Sequence, residues 1–358
     1  MTAMLRRILS NDMPGSRILA VLLVLLVVGL AFAPFLVPGV KAINVAAKVM
    51  IFIVLVASFD LLLGYTGIVS FAHTMFFGIG AYGVAIASTV LGPAWQSLAA
   101  GMGLALALSL ILACLIGLFS LRVRAIFFAM ITLAVGSAFA SLASQLSDLT
   151  GGEDGLTFSA PAVISPGFEF ANPLFGIAMD GRLICYYLIF ALALILVLVM
   201  LRIVNSPFGR VLQAIRDNEF RAEAIGYPVV VYRTMAAVVS ALFACLAGGM
   251  LALWLKYNGP DTSLSMEIMV DVLLIVVIGG MGTIYGAAIG AAIFIVAQNY
   301  LQDLLTIGTK AAGSLPAFAA VLSPDRWLLW LGLLFVLSVY FFPTGIVGTL
   351  RGTPERKH

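Results

Sequence analysis

The sequence predicts an all-α, polytopic membrane protein of about ten transmembrane helices, with broken or short helices near the centre. Three observations predict it. Of 358 residues, 63% are hydrophobic and 10% charged, and the mean hydropathy of +1.15 is beyond what soluble domains show. The apolar residues fall into runs, most of them near the roughly 20 residues a helix needs to cross a bilayer. Two of these runs are interrupted by glycine-bearing turns, GYTG at 64–67 and GGMG at 279–282. A β-barrel is excluded, because stretches such as ILAVLLVLLVVGLAFAPFLV are apolar on every side rather than in alternation.

Taken in order, the first run is 18–37, preceded by Arg6, Arg7 and Arg17. Ala31 to Ala33 has the A-x-A form of a cleavage site. However, Pro34 would follow the cut and the run exceeds a signal core, so it reads as an uncleaved first span. Runs at 44–63, 70–90, 95–120 and 124–146 come next, then a loop at 147–182 and a sixth run at 183–203. A charged segment, 205–228, separates these from 232–255, 267–281, 284–304 and 326–342. The chain thus divides into an N-terminal segment 1–17, one transmembrane domain 18–350, and a tail 351–358. About a dozen residues separate Glu267 from Gly279, and at about 1.5 Å each they cover about half of a 30 Å core. That helix is short, or it starts earlier and carries Glu267 and Asp271 into the bilayer.

Basic residues near span ends are retained on the cytoplasmic side. With the N-terminus inside, Arg6, Arg7, Arg17, Arg122, Arg124, Arg202, Arg210, Arg216, Arg221, Arg233, Arg351, Arg356 and Lys357 are cytoplasmic. Lys41, Lys48, Arg182, Lys256, Lys310 and Arg326, the rest of the nineteen, fall outside. Both termini are therefore expected in the cytoplasm. The net charge of +3, scattered over loops without stacking aromatics, excludes a nucleic-acid partner. Cys114, Cys185 and Cys245 lie in apolar runs without CxxC spacing and suggest neither metal nor disulfide.

Glycine pairs that break apolar runs point to a transporter's central site, since irregular backbone at membrane depth is tolerated only against protein or water. Gly64, Gly67, Gly279, Gly280 and Gly282 are such helix-breaking positions. Gly282, Gly286 and Gly290 recur every four residues and form a packing face. Tyr65, Thr66, Ser70 and His73 are the polar groups beside the first turn and are candidates for the translocation pathway. His73 fits either a solute or proton contact or a hydrogen bond to a neighbouring helix. Asp60 fits a cavity-facing carboxylate or, as favoured here, a hydrated one near the cytoplasmic boundary. Glu267 and Asp271, spaced i to i+4, fit a solvated helix start or an acidic vestibule.

Ser206 and Pro207 read as an N-cap and first helical residue, with Gly226 and Pro228 as a stop. Within the resulting helix, Arg216 with Glu219, and Asp217 with Arg221, have the spacing of surface pairs. Leu212, Ile215, Glu219, Ala222 and Gly226 share a face that is apolar, then acidic, then small. Such a helix suits docking against another protein, or lying on lipid headgroups with Arg210 and Arg216 toward anionic lipid.

The stretches GYTGIVSFAHTMFFGIGAYG (64–83), LTGGEDGL (149–156), SPFGRVLQAIRDNEFRAEAIG (206–226) and VVIGGMGTIYGAAIGA (276–291) occur in an order and spacing that resemble a known family. The family is the permease subunits of bacterial ABC importers for branched-chain amino acids, specifically the longer, M-type (LivM-like) subunit, and the resemblance runs from about residue 40 to 350. It implies an ABC importer permease fold, and that 205–228 is a coupling helix on an ATPase subunit, with Arg216, Asp217, Glu219, Ala222, Glu223 and Gly226 in the docking segment. Arg221 stands where the family usually has Ala, and Ile68 and Val69 replace the family's Gln and Leu. The implied partners are a second, H-type permease, two ATPase subunits and a solute-binding protein that the loop with Glu153 and Asp154 could meet.

No G-x-x-x-x-G-K-[ST] occurs, and no lysine precedes Ser or Thr, so a nucleotide site of that kind is excluded. The chain is thus expected to be a non-enzymatic transport subunit in the bacterial inner membrane that binds no cofactor or metal, with ATP and magnesium on partner chains. Its solute would be a branched-chain amino acid or a related small molecule such as urea, an amide, another amino acid or an aromatic acid. The alternatives are an ion-coupled secondary transporter using Asp60, His73, Glu267 and Asp271, and a channel.

Overall fold

The computed structural model describes residues 16–36, 39–120, 125–168, 180–311 and 323–351. The expected N-terminal segment up to residue 15, the tail from 352, residues 169–179 of the long loop, and Arg6, Arg7, Arg122, Arg124, Glu169, Arg356 and Lys357 lie outside them. Among the described residues, ten helical stretches are long and apolar enough to cross a membrane. The chain is an all-α, multi-pass membrane protein.

Apolar runs become helices because backbone N–H and C=O groups in hydrocarbon can pair only with one another. The first half consists of α1 (Arg17–Leu36), α2 (Val40–Thr66), α3 (His73–Leu91), α4 (Trp95–Ser120) and α5 (Ala125–Gln145). A one-turn α6 (Ser147–Thr150) and strand β1 (Leu156–Thr157) cross to α7 (Gly181–Val204). Two short helices follow, α8 (Pro207–Asp217) and α9 (Glu219–Ala224), then α10 (Val229–Leu255). Strand β2 (Tyr257–Asn258) and the single turn α11 (Pro260–Ser263) lead into α12 (Met266–Gly279). The chain closes with α13 (Ile284–Ala311), α14 (Trp327–Phe341) and α15 (Gly345–Arg351).

Helices α2 and α13 outrun the apolar segments that signal them, because polar residues at their ends find partners and need not end the helix. Lys41 pairs with Asp303, and Asn44 Oδ1 accepts a bond of 2.7 Å from Arg182. By contrast α12 takes the short form, with 14 residues.

Helix α2 is the axis of the bundle. Its apolar window is 94% buried, against 11% for α1, and it touches α10, α13, α7 and α12. Helices α1, α4, α5 and α14 form the outer layer and keep exposed apolar faces, as lipid contact requires. Lipid tails are as apolar as leucine, so helices gain by close van der Waals packing rather than by hydrophobic burial. Glycine makes that approach possible. A Cβ at Gly80 would fall on the Cys245 carbonyl of α10, and one at Gly248 on the Phe77 carbonyl of α3. Gly83 and Gly101 face each other across α3 and α4 in the same way.

Pro34 sits in the last turn of α1 and cannot supply the amide that Leu30 O would receive. The Tyr186 hydroxyl donates to Leu30 O instead, and Tyr187 donates to Ala31 O at 2.9 Å. The orphaned carbonyl thereby acquires a partner and pins α1 to α7.

At one end of the bundle Leu156 pairs with Asn258, antiparallel. Tyr257 Oη donates to Asp154 O at 3.1 Å, and Lys256 Nζ to Ile164 O at 2.9 Å. The glycine-rich LTGGEDGL segment is thus strapped to the end of α10. The opposite end carries α8, α9 and both glycine turns.

The α3–α10 contact sets a direct expectation. Gly248→Val should prevent recovery of folded, monodisperse protein in detergent, since its side chain meets backbone that cannot yield. Gly103→Ala, with open space around it, should leave the unfolding temperature unchanged or raised. Size-exclusion chromatography and thermal unfolding check both.

Candidate functional site

The charged segment 206–226 folds as two helices, not as the single one its periodicity suggests. Ser206 caps α8, accepting from the Gly209 amide at 3.4 Å, and Pro207 occupies the first helical position. Asn218 then leaves the helix at φ −161°, ψ 101°, and its side chain accepts from the Arg221 amide at 3.0 Å. Asn readily trades helix continuity for a cap of this kind.

The break redistributes the expected common face. Leu212, Ile215 and Ala222 are buried, the last two with Val229 and against Val211 and Tyr232. Ala222 therefore fills the inside of the hairpin and offers no outer surface. Glu219 is pulled to Arg233, 2.8 Å away. Arg210, Asp217, Arg221, Glu223 and Gly226 remain exposed. Between them stands Phe220, 85% exposed. The sequence reading passed over Phe220. Its signal was a large aromatic inside a charged helix, where lipid or core would be expected to claim it.

The inner side of the hairpin reaches the two glycine turns. Arg216 Nη1 donates to the Gly64 carbonyl. Asp60, one turn earlier in α2, is 1% exposed. Its Oδ1 and Oδ2 accept the Gly282 amide at 2.8 and 3.1 Å, the Thr283 amide also bonds to it, and Arg216 is within electrostatic reach. The expectation of a hydrated boundary carboxylate is therefore corrected: burial beside unpaired amides makes Asp60 the tie between GYTG and GGMG. Gly64 must be glycine, because a Cβ there would fall on the Asp60 carboxylate and the Gly282 amide. Gly282, at φ +80°, presents its amide in a conformation that other residues resist. Gly279, Gly286 and Gly290 form the α12–α13 seam next to it, and Gly280 packs on Gly345 of α15.

Tyr65, Thr66, Ser70 and His73 are buried. Thr66 donates to Leu62 O at 2.6 Å. His73 Nε2 lies 2.9 Å from Ser58 Oγ, with the Phe59 ring edge-on at 5.2 Å. Ser58 in turn links to α10, since Ser240 donates to its carbonyl at 2.6 Å. Ser70 and His73 border a void of about 10 Å³, too small for a solute, and Tyr65 is 5% exposed. Glu267 is exposed, whereas Asp271 turns inward and accepts from Gln298 at 3.1 Å. Gln298 also accepts from Lys48 at 3.2 Å. The four groups considered as ion ligands thus do not share a partner: Asp60 holds Gly282, His73 holds Ser58, Asp271 holds Gln298, and Glu267 faces outward.

A multi-span bundle with two interrupted helices meeting at one end, under a charged helical hairpin, defines a membrane transport permease. Residues 41–339 match the family described as branched-chain amino acid transport system / permease component, and the chain belongs to that family. It is similar to the high-affinity branched-chain amino acid transport system permease proteins LivM of Salmonella typhimurium and Escherichia coli. Each is 27% identical over 321 residues, covering 86% of this chain and 74% of the relative. It is also similar to a probable branched-chain amino acid transport permease protein LivM of Methanocaldococcus jannaschii, at 26% over 163 residues and 45% of each chain. No solved structure matches the chain.

Asp60→Leu should lower the thermal unfolding temperature of the purified protein, because it leaves buried amides unpaired at a cost of about 1–3 kcal/mol in stability. Asp60→Asn, which keeps an acceptor for Gly282, should lose less. Fluorescence-monitored melting in detergent separates the two, and equal melting of Asp60→Leu and wild type would contradict the tie.

Proposed function

We propose that the chain is a permease subunit of an ATP-binding cassette importer in the bacterial inner membrane. It moves branched-chain amino acids or related small solutes inward. ATP and magnesium are held by two ATPase partners, a second, H-type permease completes the pathway, and a solute-binding protein delivers the cargo. Both termini, with the segments 1–17 and 351–358, are cytoplasmic, as is the 205–228 hairpin, which acts as the coupling element.

The observation that carries this reading is the hairpin's two-sidedness. Its outer surface combines an exposed aromatic with exposed charges, which lipid alone does not require. Its inner surface delivers Arg216 to the point where both broken helices meet. A push on Phe220 would pass through α9, whose Ala222 is buried with Ile215 of α8, to the turns rather than dissipate in a loop. Burial of an aromatic anchor in a partner pocket accounts for much of the energy at such interfaces.

The test is ATP-dependent uptake by the complex in liposomes, with and without its ATPase subunits. Accumulation by this chain alone under an ion gradient would overturn the reading. Phe220→Ala should weaken copurification of the ATPase by about tenfold or more, since hot-spot truncations remove about 2 kcal/mol. Phe220 makes no buried contact within the chain, so the variant's own melting temperature should not change.

A further inference from the structure

We infer that an open polar cavity between α5 and the α11–α12 corner is a contact site for the transported solute, and that it takes a small zwitterionic amino acid. This rests on the permease reading above.

The corner lies deep in the bundle. Helix α10 rises from the hairpin end through 27 residues, about 40 Å at the helical rise and more than a bilayer core. Helix α12 returns to that end at GGMG in 14 residues, and with the α11 turn before it the apolar stretch is Pro260–Gly279, 20 residues. The corner sits beside α3 rather than beyond its end, since a Cβ at Gly78, in the second turn of α3, would fall on the Leu264 side chain. Backbone that is not helical can lie there only against protein or a water-filled space.

The structure provides such a space, a cavity of about 300 Å³, at the small end of the range for ligand pockets. Its polar wall consists of Thr74 of α3, Ser137, Ser141 and Ser144 of α5, and Asp261 and Ser265 of the corner. Ser137, Ser141 and Ser144 are spaced i, i+4, i+7 and so line one face of a helix whose other polar side chains are Thr132 and Gln145. Exposed hydroxyls and a carboxylate at this depth are unfavourable against lipid. A larger groove of about 490 Å³ between α3, α4 and α5 has an almost wholly apolar wall and offers a polar solute nothing.

Two of the groups around the cavity lack partners of their own, whereas Ser144 donates to Ala140 O at 3.2 Å and Ser265 accepts from the Ile268 amide. Asp261 has no hydrogen bond or ion pair among the described residues. The Thr74 hydroxyl has none either, although Thr74 is 6% exposed. Behind them, the Tyr82 hydroxyl, within electrostatic reach of Asp261, and both polar side-chain atoms of Asn258 are buried without a partner. Buried polar groups normally find one.

The arrangement has two electrical ends. Ser265 caps α12 through the Ile268 amide at 3.4 Å, which leaves the first-turn amides of Met266 and Glu267 without an intrahelical acceptor. The helix dipole adds to their attraction for a carboxylate, and the Glu267 side chain of the same turn partly offsets it. Asp261 attracts an ammonium group. Phe71, Leu133 and Leu264 line the same cavity and suit an aliphatic side chain. A neutral amide or a simple anion would leave one end unused.

The test uses the assembled importer with its binding protein and ATPase subunits in liposomes. Wild type should accumulate leucine. Asp261→Asn should reduce leucine uptake about tenfold, the weight of one charge-assisted hydrogen bond, while ATP hydrolysis remains stimulated by the binding protein. Ser141→Cys should transport until a water-soluble thiol reagent modifies it after assembly, and leucine should slow that modification. Wild type treated in parallel is the control. If Asp261→Asn and the modified Ser141→Cys both carry leucine at the wild-type rate, or if Ser141→Cys does not react, the cavity is not the site. If wild type carries no amino acid, the substrate reading fails and the zwitterion assignment falls with it.

Discussion

Asp60 accepts the amide of Gly282, and this hydrogen bond joins the two places where the bundle's helices are interrupted. A carboxyl group in the interior is tolerable only when it is given donors, and helix-ending turns are tolerable only when their amides are given acceptors. Each therefore solves the other's difficulty. Because Gly64 carries no side chain, the turns come close enough for Arg216 to touch the first of them from the α8 side. Three elements distant in the chain, α2, α8 and the α12–α13 turn, are held at one point.

The rest of the bundle is arranged around that point by glycine. Where hydrophobic burial cannot distinguish helix from lipid, contact distance decides which helices adhere. Gly80 and Gly248 bring α3 onto α10, Gly83 and Gly101 bring α4 onto α3, and Gly279 with Gly286 brings α12 onto α13. These seams surround α2 and leave α5 largely outside. That position is what allows its serine face to border an open cavity rather than vanish into the core.

Much of this was legible in the sequence. Run length and hydropathy gave the number of spans, the glycine pairs marked the breaks, and Ser206 and Pro207 marked the start of the hairpin. Less legible was the direction in which polar residues face. Thr66 and His73 look like pathway groups by proximity to the turn, yet Thr66 donates to Leu62 O and His73 meets Ser58. Asp60 looks like a boundary residue by position, yet its partner lies 222 residues away.

Composition and periodicity thus specified a membrane bundle, its approximate spans and its charged hairpin, because these depend on how each segment partitions between water and lipid. Partitioning is local and can be read along the chain. Which buried polar atoms pair and which remain open to a cavity depends on contacts between segments hundreds of residues apart. Those contacts follow from packed glycine seams and from the 14-residue length of α12, and they emerge once the helices are in place.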